Sequence, residues 1–172
     1  MKRKPAAEFL AELESDPEWV ERRRAREQTL AERAASCAEN EHALVTEIRS
    51  AGYDVDSVYD LVNNAPHPVL NRRFVGPYNA AYRVLVRHLT LPHLLPIREG
   101  IVRALTVTDG GPDVEGALLA AFEAETAPDL RWVIANALRT AMPYHRRKKH
   151  PEIAAALRVT TSAPVPKPSN DR

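Results

Sequence analysis

Apolar residues recur along this chain at intervals of three and four, and prolines separate the stretches in which they do so. No stretch alternates apolar and polar residues long enough to predict a strand, so the pattern predicts an almost wholly helical chain. A first short helix is expected from Pro5 to Leu13, with Ala6, Phe9, Leu10 and Leu13 on one face. Asp16 then reads as the N-cap of a second helix that opens with Pro17 and meets no breaker until Gly52. Such a helix spans roughly 50 Å. Its best apolar seam is Val20, Arg23, Glu27, Leu30, Ala34, Cys37, Glu41, Leu44 and Ile48, and the charges in it argue against an independent coiled coil. The half from Leu30 to Ile48 is expected to dock, and the half carrying Arg22, Arg23, Arg24 and Arg26 to be a solvated arm. Val55, Val58, Tyr59 and Val62 predict a short helix, with Asp54 or Asp56 as its cap. The stretch NAPHPVLNRRFVGP is a connection or a distorted helix.

From Tyr78 onward the pattern repeats itself. IREGIVRAL, at 97–105, returns as LRWVIANAL at 130–138. The shift that carries Ile97 onto Leu130 also carries Arg98 onto Arg131, Ile101 onto Ile134, Ala104 onto Ala137 and Leu105 onto Leu138. It carries Val84, Leu85 and Val86 onto Ala117, Leu118 and Leu119, and Leu89 onto Phe122. Each unit reads as a helix, a proline-bearing turn and a second helix with one buried stripe. Pro151 opens a last expected helix, to Val159, with Ile153, Ala156 and Leu157 on one face as a cap. Residues 160–172 contain little that could form a core and are expected to be a disordered tail.

A recurring helix pair of this length is the mark of an α-solenoid. The apolar-Arg-x-x-apolar-x-x-Ala-Leu pattern of both segments resembles the second helix of HEAT repeats. The tryptophan, Leu-Gly and tyrosine pattern of tetratricopeptide repeats and the Thr-Pro-Leu-His of ankyrin repeats are missing. With DPEWVERRRARE and SVYDLVN ahead of the repeats, the chain is similar to small bacterial HEAT-repeat proteins of uncharacterised function. The resemblance implies an all-α fold: a short right-handed α-solenoid of HEAT-like helix pairs preceded by a long N-terminal helix. The expected organisation is a partly docked helical arm (1–52), a repeat domain (53–159) and the tail (160–172).

Composition narrows the function classes. Lys and Arg number 24 against 23 acids, a net charge of +1, so the molecule as a whole has no bias toward nucleic acid or membrane. One cysteine, Cys37, allows neither an intrachain disulfide nor a cysteine zinc site. MKRKPAAEFL lacks the apolar run of a secretory signal, and no stretch approaches the ~20 apolar residues of a membrane span. A cytoplasmic location and no membrane partner are expected.

Charge is concentrated in one place. Arg146, Arg147, Lys148 and Lys149 stand together between two histidines, as a candidate contact for phosphates or an acidic partner. The plainer reading is a solvated turn whose cations favour a helix C-terminus. Arg98 and Arg131, at equivalent points, are candidate members of an ion-pair ladder with Asp129 and other acids; solvated helix faces explain them equally. Trp132 is a candidate interface residue beside them. The unit-to-unit differences, Glu99, Gly100 and Arg103 against Trp132, Val133 and Asn136, are where specificity is expected. The pairs His88–His93 and His145–His150 are five apart, outside the helical spacing of neighbours, so no metal site is expected. DVDSVYD lacks the glycine and terminal glutamate of a calcium loop. No catalytic motif and no cofactor motif is found, and the chain is expected not to be an enzyme.

Two functions follow. The first is a non-catalytic protein-interaction or scaffold module whose partner is another protein. With only two full repeats, a homodimer through an open solenoid end is also expected to be accessible. The second is a nucleic-acid-binding protein that uses the basic run, since alkylation-repair DNA glycosylases also build HEAT-like helix pairs around a basic groove. The acids such an enzyme needs lie here on the long N-terminal helix, away from the basic run.

Overall fold

The computed structural model describes residues 5–62, 64–66 and 74–159. Among these the chain is all-helical: nine α-helices and one short 3-10 turn, at Asn79–Ala81. The expected tail, and residues 67–73 of the proline-bearing connection, lie outside the described residues. No helix among those described is long and apolar enough to cross a membrane. The backbone forms two compact units that divide between Glu39 and Asn40, inside the long helix.

The first unit contains α1 (Ala6–Glu14) and the first half of α2 (Pro17–Ser50). The Glu18 amide donates to Asp16 Oδ1 at 3.0 Å, the cap the sequence predicts. Nothing in α1 is buried, and Phe9 and Leu10 are exposed. The arginine-rich segment is internally paired: Arg22 with Glu18, and Arg23 with both Glu14 and Glu27. Such exposed pairs contribute little stability.

The second unit begins where α2 acquires a buried face. Leu30, expected to dock, is 54% exposed; burial starts at Glu41 and continues through Leu44, Val45 and Ile48. Gly52, with φ at +99°, ends the helix. Its amide donates to Arg49 O and that of Tyr53 donates to Ile48 O, the paired bonds of a Schellman motif. The next helix, α3 (Tyr59–Val62), is shorter than the apolar spacing suggested. Its cap is neither Asp54 nor Asp56. Glu41 Oε2 accepts from the Val58 amide at 3.0 Å and from Ser57 Oγ at 3.1 Å, while Asp60 accepts from the Asp56 and Ser57 amides. Thus the charge that seemed to spoil the α2 seam satisfies the next helix's orphan donors.

The repeating part forms two helix pairs, α4 (Tyr82–Leu89) with α5 (Leu95–Ala104) and α6 (Gly111–Ala124) with α7 (Pro128–Ala141). Within the stack α4 packs on α6 and α5 on α7, while α3 covers the far side of α5 and α9 (Pro151–Val159) covers α7. The matched positions carry this packing. Leu85 and Leu118, Leu89 and Phe122, Ile97 and Leu130, Ile101 and Ile134, Ala104 and Ala137, and Leu105 and Leu138 are all buried. Prolines begin α7 and α9 and stand in the first turn of α5 and α6, where a missing amide hydrogen leaves no bond unmade. Ile153 of α9, the expected cap, is fully buried.

The α3–α5 contact needs a glycine. A Cβ on Gly100 would stand 2.6 Å from Val58 Cγ1 and 3.2 Å from the Tyr59 ring. Val58 is fully buried, so it has little room to move. Substitution of Gly100 by alanine therefore overpacks the junction by about 1–3 kcal/mol, offset by about 0.5–1 kcal/mol of improved helix propensity. Chemical denaturation should show Gly100→Ala less stable than the parent, and Val58→Ala in the same chain should recover part of the loss. A stability equal to or above the parent's would contradict this account.

Candidate functional site

The candidate residues fall into three places in the second unit. Arg98, on α5, meets Glu125, one of the acids besides Asp129 that a ladder could use, while Arg131, on α7, is held by backbone carbonyls and a ring. Arg98 donates to Glu125 Oε2 at 2.6 Å. Arg131 instead lies over the Phe122 ring at 3.9 Å and donates to the carbonyls of Phe122 and Glu125. The equivalent arginines therefore do different work. One reaches forward to the next unit's turn, and the other closes the C-terminus of α6. Asp129 is exposed.

Glu125 was not singled out in the sequence, yet it is the hub of this turn. Its side chain is buried, and Oε1 accepts from the amides of Thr126 and Ala127, at 3.0 and 2.8 Å, just ahead of α7. Burial pushes this carboxyl up, but the Ala127 amide, the Arg98 charge and the Thr126 amide outweigh it, so its pKa lies below the ordinary carboxylate value. The stability it contributes is therefore complete above the ordinary carboxylate range and is lost as pH falls toward the depressed value. Glu125→Gln should cost about 1–3 kcal/mol at neutral pH. The gap between variant and parent should close on acidification, as read from thermal midpoints across pH; a gap independent of pH would remove the ionic role.

Trp132 comes together with three of the other unit-specific positions. Glu99, Arg103, Trp132 and Val133 line a shallow groove of 230 Å³ between α5 and α7, next to Asp129 and Leu95. Glu99 and Arg103 are already paired with each other. Gly100 is diverted to the α3 contact described above.

The basic run is split by the fold. Arg146 and Arg147 lie on α8 (Tyr144–Arg147), and Lys148 and Lys149 in the turn after it. Arg146 stands 2.8 Å from the buried carboxylate of Glu115 on α6. Arg147 donates to the carbonyls of Arg139 and Met142, closing the C-terminus of α7, and lies 5.8 Å from the Tyr144 ring centre. Lys148 and Lys149 are exposed. Two of four cations thus serve the fold, Arg147 at a helix C-terminus and Arg146 at a buried acid of another helix. Beside them a groove of 360 Å³ is lined by Arg139, Tyr144, Arg147, Lys148, His150 and Leu157, and Tyr144 is 73% exposed.

Two further concavities lie elsewhere, between α4 and α6. One, of 740 Å³, is walled by Leu89, the turn Thr90–His93, and Ala117, Ala120, Ala121 and Ala124 of α6, with Arg98 at its edge. The second, of 670 Å³, runs on from Ala117 past Val86 toward Arg83 and Asn79. At that end Asp109 accepts from Tyr82 Oη and Asn79 Nδ2. The alanine face was visible in the sequence only as helix-forming composition. Whether such a face is covered or open depends on how far α4 stands from α6.

His88 and His93, dismissed on spacing, are in contact. His88 Nδ1 and His93 Nε2 are 2.9 Å apart, and the rings stack. The spacing argument fails because α4 ends at Leu89 and the turn folds His93 back. No group of three or more His, Cys, Asp or Glu side chains arranged to hold a metal ion occurs among the described residues. No family model, no curated protein and no solved structure matches this chain.

Proposed function

We propose that the chain is a non-catalytic protein-interaction module, its helix pairs forming a short right-handed α-solenoid of HEAT-like units. The observation that carries this reading is the pair of open concavities along α4 and α6, which we take together as one channel. Its two halves share Ala117, and its walls are mostly small and aliphatic side chains. A concave apolar surface bordered by Arg83 and Arg98 suits the apolar face of a helix from another protein. Leu91 adds exposed apolar area to one wall.

Ala120 is exposed on the channel wall, so a long side chain there blocks the channel without entering the core. Affinity capture from the native cell with the parent chain and with Ala120→Arg, followed by quantitative mass spectrometry, tests the proposal. Proteins bound by the parent should be lost with Ala120→Arg and retained with Lys149→Glu. An unchanged set with Ala120→Arg would remove the channel as the interaction surface.

A second reading rests on the exposed Tyr144 in the cationic groove at the other end of the unit. A ring flanked by Arg139 and Lys148 has the parts needed to stack a base and hold a phosphate. For this reading, single-stranded oligonucleotide binding by anisotropy should weaken steeply between two salt concentrations. It should weaken further in Lys148→Glu/Lys149→Glu; no binding by the parent at low salt ends it.

A further inference from the structure

We propose that Glu47, His88, His93 and Asn40 form an acid-opened latch that ties the C-terminal part of α2 to α4 and to the turn between α4 and α5. The four side chains make an unbroken row. His88 Nε2 lies 3.1 Å from Glu47 Oε2, His88 Nδ1 lies 2.9 Å from His93 Nε2, and His93 Nδ1 lies 3.1 Å from Asn40 Oδ1. That same Asn40 oxygen accepts from the Leu94 amide at 2.9 Å, which fixes the orientation of the amide group. His88 is 2% exposed.

The protons in this row can be counted. Glu47 also pairs with Arg87, so its carboxylate is an acceptor and His88 Nε2 carries hydrogen. One hydrogen lies between His88 Nδ1 and His93 Nε2. Two neutral imidazoles supply these two hydrogens, leaving the His93 Nδ1 lone pair facing the Asn40 oxygen. One added proton, on His93 Nδ1, closes this last link and satisfies every group. A second added proton has only the His88–His93 contact to occupy, where two N–H groups would then point at each other across 2.9 Å. The row therefore lacks only the Asn40 link with two hydrogens, is complete with three and breaks with four.

The surroundings favour the low-proton states. α2 contributes Asn40 and Glu47, α4 contributes Arg87, and α5 contributes Arg98, which borders the same channel as His93 and is bound to Glu125. α6 presents only alanines along that wall. Burial pushes both imidazoles below the ordinary histidine value; Arg87 adds to this at His88, and His88 adds to it at His93, against the opposing pull of Asn40. The unfolded chain then binds more protons than the folded one just below the ordinary histidine value. The first proton closes the Asn40 link, so the row opens only when pH falls far enough to add the second, which the folded chain binds less readily than the unfolded one. His93 and the residues before it wall the channel between α4 and α6, so opening the latch releases one wall of that channel.

Two measurements on the full chain test this, neither needing a partner. Nitrogen-15 spectra of the histidine rings should show stepwise uptake, first at His93 Nδ1 and then at His88, with the second step well below the ordinary histidine value. The Leu94 amide, once corrected for the intrinsic pH dependence of exchange, should lose about tenfold in protection for each pKa unit of depression crossed on acidification. His93→Leu should flatten the fall in thermal midpoint between neutral and mildly acidic pH, with Asn40→Ala freeing Leu94 at all pH values. His93 is only half-buried, so this variant keeps the core intact. Independent titration of the two rings at the ordinary histidine value, or an unchanged pH slope in His93→Leu, overturns the proposal.

Discussion

Everything in the second unit hangs on one stripe of buried aliphatic side chains along α5 and α7. Ile97, Ile101, Ala104 and Leu105 and the equivalent Leu130, Ile134, Ala137 and Leu138 are all buried, and α5 packs on α7. Removing this area from water is the main favourable term for so helical a unit, since isolated helices of this length are marginal. The small residues Gly100, Ala104 and Ala137 set how close the neighbouring helices come. At Gly100 the approach is so tight that α3 is fitted to the absence of a methyl group.

The buried polar residues are few, and each stands where one element hands over to another. Among the described residues they are Glu41, His88, Glu115 and Glu125. Glu41 joins α2 to the start of α3, and Glu125 joins α5 to the turn before α7. Glu115 faces Arg146 from α6, and His88 joins α2 to α4 and the following turn. A buried polar group left without a partner costs far more than a typical bond gains, so such groups specify arrangement more than they add stability. Helix stripes alone tolerate sliding by a turn; these four contacts do not.

Much of this was legible from the chain. The long helix with its Asp16 cap and Gly52 stop, the helix pairs after Tyr78 and the last helix from Pro151 were readable because each depends on neighbours within a turn. The errors share the opposite property. The seam charge at Glu41 turned out to be a cap for a helix beyond the next turn. Equally out of reach of local pattern were the partners of Arg98 and Arg146, Glu125 and Glu115. Spacing along a helix could not anticipate His93, because the residue lies past the helix end.

The sequence by itself determined the helices, their punctuation and the repeating buried stripe, since propensity, capping and amphipathic period act within a few residues. Tertiary structure alone decided which charges are spent inside the fold and which face outward. It also decided that the alanines of α6 border an open concavity, and that two histidines and two α2 residues stand in one row. These outcomes depend on distances between segments far apart in the chain, as with Asn40 and Leu94, and no local pattern encodes such a distance.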